Sequence, residues 1–163
     1  MSFPVQAFVK EKVSNVPQGA LVLVRGFWSI RTRFDTPNGP KQNIVFLNGE
    51  VAGNIHVAPD DYGIAVSRDY SVEFRVASSA DIQRNGEPPQ GVSIVIASDS
   101  PEVWGHIAGA PEHRYGFKLN GDPLENEEEH DNHPFYKAGA FKAWLMKDGK
   151  QVGAEPLFTV GAQ

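Results

Sequence analysis

Along most of the chain, apolar and polar side chains alternate in short runs, and turn-forming residues stand between the runs. A period of two places successive side chains on opposite faces of an extended backbone, so the pattern predicts strands rather than helices. Candidate strands cover 4–9, 20–34, 43–47, 51–57, 63–67, 70–77, 91–98, 114–120, 138–147 and 156–160. Between them, Asn38-Gly39-Pro40, Asn48-Gly49, Asn85-Gly86, Asn120-Gly121 and Asp148-Gly149 supply residues that tolerate positive φ in tight reversals. Two of these predict hairpins directly: Asn48-Gly49 joins 44–46 to 52–57, and Asp148-Gly149 joins 141–146 to 152–160.

Alternation also assigns faces. Read as one long strand, 20–34 puts Val22, Val24, Trp28, Ile30 and Phe34 on the core side. Arg25, Phe27, Ser29, Arg31 and Arg33 then fall on the solvated side. Tyr70, Val72, Phe74 and Val76 alternate with Ser71, Glu73 and Arg75 in the same way. The run 92–97 is dominated by apolar side chains, which predicts a central strand covered on both sides. With 16 glycines and 12 prolines spread along the chain, long helices have little room. The expected fold is all-β: one domain over 1–163, built as a two-layer antiparallel β-sandwich.

The segment 135–160 contains Gly139, an aromatic-rich strand, Asp148-Gly149 and a short Phe158-Thr159-Val160 ending. It resembles the closing hairpin of an immunoglobulin-like sandwich. That resemblance implies an immunoglobulin-like or jelly-roll architecture and carries no function, because such sandwiches host unrelated activities.

Composition narrows the functional classes. Hydrophobic residues at 40% and charged residues at 21% describe a globular chain. A net charge of -5 opposes nucleic-acid binding, which is driven by clustered Lys and Arg. The absence of cysteine removes disulfides, thiolate zinc sites and thiol nucleophiles. No apolar run approaches the roughly 20 residues that span a bilayer, and 1–9 lacks the basic and apolar regions of a signal peptide. The default expectation is therefore a cytoplasmic protein with no membrane insertion.

Four groups of residues carry candidate chemistry. In the acidic stretch 121–134, Glu125, Glu129, His130, Asp131 and His133 are candidate metal ligands. Hard carboxylate oxygens suit Ca2+, and two histidines beside carboxylates suit Zn2+. The spacing matches neither an EF-hand loop nor an HExxH helix, and a charged run also reads as a solvated loop. His56 sits in strand register on a polar face, whereas His106 and His113 flank Gly109-Ala110-Pro111. Trp104, beside His106, and Trp144, on an outward face, are candidate platforms for sugar stacking. Arg25, Arg31 and Arg33, with Phe27, form a row suited to carboxylates. The acidic stretch is a natural partner for that row, within the chain or in a second copy, where the contact would drive homo-oligomerisation; paired across strands with residues such as Glu73, the row would be satisfied internally.

No GxSxG elbow, phosphate-binding Walker loop, GxGxxG or HExxH motif is present. The expected function is a non-enzymatic, lectin-like binding module that takes a carbohydrate or a protein surface through end loops at 103–113 and 122–133. One alternative is a structural, self-assembling subunit of a virion or appendage. A second is a small metal-dependent enzyme using His106, His113, His130 and His133 with a carboxylate.

Overall fold

The computed structural model describes residues 2–76, 78–84, 91–96, 101–124 and 136–161, and the chain is all-β. A 3-10 turn at Val5–Ala7 leads into β1 (Phe8–Lys12), and a second at Val13–Asn15 follows it. Next come β2 (Leu21–Val24), β3 (Phe27–Thr36), β4 (Gly39–Phe46), a 3-10 turn at Gly49–Val51, β5 (Asn54–Val57), β6 (Tyr62–Val66) and β7 (Ser71–Val76). A 3-10 turn at Ser79–Asp81 precedes β8 (Ile82–Arg84), β9 (Ser93–Ile96), β10 (Pro101–Ile107) and β11 (Ala110–Lys118). The last strands are β12 (Tyr136–Ala138), β13 (Phe141–Lys147), β14 (Lys150–Gln151) and β15 (Phe158–Val160).

The larger sheet runs β1-β6-β2-β3-β4-β5-β10-β9-β12-β8, with β11 paired to β10. Its one parallel pair among the described residues joins β5 to β10. In the smaller sheet β13 is flanked by β7 on one side and by β14 and β15 on the other. Val76 lies opposite Phe141 in the smaller sheet, and Ile82 lies opposite Ala138 in the larger. The same two chain segments thus pass from one sheet to the other as an antiparallel ribbon and tie the sheets together at one corner.

Leu21, Trp28, Ile30, Val45, Val103 and Phe117 of the larger sheet meet Phe141, Ala143, Leu145 and Phe158 of the smaller in a continuous core. Trp28 stacks on Phe158 with centroids 6.0 Å apart, and Phe74 meets Phe141 edge-on at 5.7 Å. Burial of apolar surface, at roughly 25 cal/mol per Å², holds the two layers together. A second, smaller core lies on the reverse face of the larger sheet, where Val13 and Val16 roof Val22, Val24, Ile44, Phe46 and Ala65.

That second core corrects the face assignment of 20–34. The run is a hairpin, not one strand: Arg25 and Gly26 both take positive φ, 51° and 86°, as a two-residue turn of type I′ requires. The turn sets Val24 opposite Phe27 and Leu23 opposite Trp28. Val22 and Val24 therefore share a face with Ser29 and Arg31 rather than with Trp28 and Ile30, and both faces are buried. The run 103–113, expected as an end loop, instead forms β10 and the start of β11.

Other expectations hold. Val45 lies opposite Ile55 across the reversal after Asn48. Met146 lies opposite Gln151 across Asp148-Gly149, whose φ values are 50° and 74°. β9 sits between β10 and β12, with Ser93, Ile94 and Val95 buried. Asn85-Gly86 lies outside the described residues. No helix among the described residues is long and apolar enough to cross a membrane.

Candidate binding groove

Strand β10 presents two faces. Val103 enters the main core, while Glu102, Trp104 and His106 line the opposite side. Across the hairpin, Lys118, Gly116 and Arg114 stand opposite those three residues in turn. On its other edge β10 meets β5 in parallel, with Asn54 opposite His106, and the His106 backbone N–H donates to the Gly53 carbonyl at 2.7 Å.

Three backbone segments converge here because glycine leaves them room. A Cβ on Gly53 would collide with the Gly91 carbonyl, and one on Gly105 would press against the Gly53 carbonyl oxygen. Above this meeting point lies a groove of about 450 Å³ lined by Glu50, Ala52, Asn54, His106, Pro111 and Arg114, with Gly49 and Gly91. That volume is within the range of about 300–1,000 Å³ typical of small-ligand sites.

The groove lining offers both hydrogen-bond donors and acceptors. Glu50 accepts hydrogen bonds, Arg114 donates them, and the Asn54 amide does both. Burial, and after it the positive charge of Arg114, pushes the His106 imidazole below its ordinary 6.5. His106 is thus neutral at neutral pH, with one ring nitrogen donating and the other accepting.

The structure brings some of the expected site residues together and separates others. Trp104 lies on the same face of β10 as His106. Its ring and Leu124 cover Gly116, and its Nε1–H donates to Glu102 Oε2 at 3.0 Å. His113 is exposed, with Nε2 3.6 Å from Glu112, and does not line the groove. Trp144 belongs to the smaller sheet, where the Arg75 guanidinium lies 5.1 Å from its ring centroid and Arg75 Nε donates to Glu73 at 2.6 Å. His56 is exposed on β5 and meets Phe46 edge-on at 5.5 Å.

The arginine row is not a solvated stripe. Arg25 sits in the β2–β3 turn, and Phe27 packs edge-on against Phe46 at 6.3 Å. Arg33 pairs with Asp35 at 3.2 Å and with Asp122, at the head of the acidic stretch, at 3.3 Å. Arg31 is 2% exposed. It donates to the carbonyls of Val16 (3.2 Å), Asn43 (2.9 Å) and Ser14 (3.3 Å) and to Gln42 Oε1 (3.0 Å). Burial lowers its pKa.

The candidate metal ligands Glu125, Glu129, His130, Asp131 and His133 lie outside the described residues. Among the described residues, no group of three or more His, Asp or Glu side chains is placed to hold a metal ion. Glu50, Asn54 and Arg114 had no sequence motif to mark them. Arg114 in particular was out of reach of pattern reading, since a regular hairpin turning at Gly109 would set Pro111 across from His106, and only the register shift after the Ile107–Ala110 pair brings Arg114 there. No family model matches the chain, and no curated protein or solved structure matches it.

Proposed function

We propose that the protein is a non-enzymatic binding module that takes a carbohydrate in the groove between the Gly49–Val51 turn, β5 and the β10–β11 hairpin. The convergence of Glu50, Asn54, neutral His106 and Arg114 over a glycine floor supports this reading. Sugar hydroxyls both donate and accept, and these four side chains offer both functions in a site of suitable size. Arg114 beside an uncharged imidazole favours sugars that carry a carboxylate. Among the described residues, the lining contains no serine, threonine or cysteine, so it offers no side-chain hydroxyl or thiol for acyl transfer.

A glycan array, followed by calorimetric titration of the best acidic sugar, tests the reading. Asn54→Ala and Arg114→Gln are expected each to weaken binding about tenfold or more, the cost of one charge-assisted or well-formed hydrogen bond. Titrations unchanged in both folded variants, or an array with no acidic-sugar signal, would overturn it.

One observation favours self-assembly as a second reading. The outer edge of β1 pairs with no strand among the described residues, and Val5, Tyr62 and Ile64 are exposed near it at 85%, 55% and 39%. Such an edge is a template for pairing with another copy. Sedimentation velocity across a concentration series is expected to show a dimer on this reading, and a monomer throughout removes it.

A further inference from the structure

A second cleft, of about 650 Å³, opens where β7 of the smaller sheet faces β2 and β6 of the larger. Leu21, Val66, Val72, Phe74 and Leu119 form its apolar walls, and Arg68, in the β6–β7 turn, stands among its lining residues. It shares no lining residue with the groove at His106. Among the described residues, no strand pairs with the outward edge of β7, so the cleft opens along a free edge.

Its charge is one-sided. Arg68 is exposed and makes no ion pair among the described residues. The Lys147 ammonium lies 5.1 Å from the ring centroid of Tyr70, which also lines the cleft. Asp69 follows Arg68 in the turn but is not part of the lining. An apolar slot between two sheets, with an arginine in its lining and a lysine over its Tyr70 ring, matches a molecule that is apolar along its length and anionic at one end.

We propose that this cleft binds a single-chain amphiphile with a carboxylate head, such as a free fatty acid, with the alkyl chain between the sheets and the head at Arg68. A volume of about 650 Å³ admits a single small molecule rather than a bilayer surface. The binding energy comes from the tail, and the head selects the orientation. Each methylene buried from water tightens association by roughly fourfold at most.

The test is titration of the full chain with sodium decanoate below its micellar concentration, followed by amide chemical shifts. Decanol and decyltrimethylammonium serve as controls. Saturable shifts confined to 66–74, 21 and 119 are expected, with decanoate binding about tenfold tighter than decanol and the cationic amphiphile weakest. Arg68→Gln, an exposed change that leaves the core intact, is expected to abolish the preference for decanoate over decanol and leave decanol binding unchanged. Equal binding of the three head groups, an unchanged preference in Arg68→Gln, shifts located elsewhere, or binding to anionic vesicles without binding to monomeric decanoate would each overturn the proposal.

Discussion

Arg31 is the residue whose replacement separates a buried structural role from a solvated one most sharply. Its guanidinium lies under the roof of the second core and reaches three backbone carbonyls and one side-chain oxygen, with no carboxylate partner among them. In Arg31→Ala the Ser14 carbonyl can turn to water, because Ser14 is exposed, but the Val16 and Asn43 carbonyls belong to buried residues. The Asn43 carbonyl keeps its place opposite Thr32 in the β3–β4 ladder, so the Val16 carbonyl is the dry acceptor that loses its donor, at a cost of about 1–3 kcal/mol, and the lost packing of the side-chain stem brings the total to about 2–4 kcal/mol. For a chain of this size that corresponds to a fall in Tm of roughly 4–16 °C. Arg31→Met isolates the polar part: it keeps much of the volume and removes all the donors, so a loss of about 1–3 kcal/mol is expected. Urea unfolding followed by tryptophan fluorescence reads both variants, with an unchanged slope showing that only stability moved. Replacing a buried charge with an apolar side chain is stabilising in some proteins, because the desolvation penalty disappears. An Arg31→Met protein as stable as the parent, or more stable, would refute the claim that these hydrogen bonds hold the roof of the second core.

Two further outcomes follow from local geometry. Arg25 occupies the left-handed region at φ 51° without being glycine, so Arg25→Asn, which tolerates that region, is expected to add about 0.5–1 kcal/mol, read as a small rise in Tm; a fall in Tm counts against the turn assignment. The His106 imidazole is expected to titrate below 6.5 by proton NMR, and Arg114→Gln is expected to raise its midpoint. Because the folded pKa lies below the unfolded one, the stability linked to this group is complete above about pH 6.5 and declines as pH falls from there toward the folded value. His106→Gln should flatten the stability profile in that window, and identical slopes in parent and variant would show that the imidazole is unperturbed.

The all-β class and the turns built on Asn-Gly or Asp-Gly were legible in the sequence because those dipeptides satisfy a backbone requirement on their own. The Arg25-Gly26 turn was not, since arginine is no signal for positive φ. Missing it reversed the faces on one side of the hairpin, because a two-residue loop pairs an even-numbered residue with an odd one: Val22 with Ser29, Leu23 with Trp28. Alternation, moreover, cannot distinguish one buried face from two, and the roof formed by Val13 and Val16 comes from a segment with no strand pattern of its own. Arg31 was read as solvated for the same reason, as its partners are carbonyls that carry no side-chain signature. In the groove, His106 stood out by residue type, as did Trp104 on the same face of β10. Asn54 and the approach of Gly53 to Gly91 depend on the parallel β5–β10 pairing, a long-range contact that no local spacing encodes.

The ribbon formed by β7 with β13 and by β8 with β12 has a mechanical consequence. Two sheets held only by side-chain packing can slide over one another, but sheets that share a backbone-bonded ribbon cannot, since shear would have to break its hydrogen bonds at the corner. With the sheets pinned at that corner, any parting of the layers has to pivot there, as a book opens about its spine, and so would be widest toward the Ser71 end of β7, where Leu21, Val66 and Val72 line the cleft between the sheets.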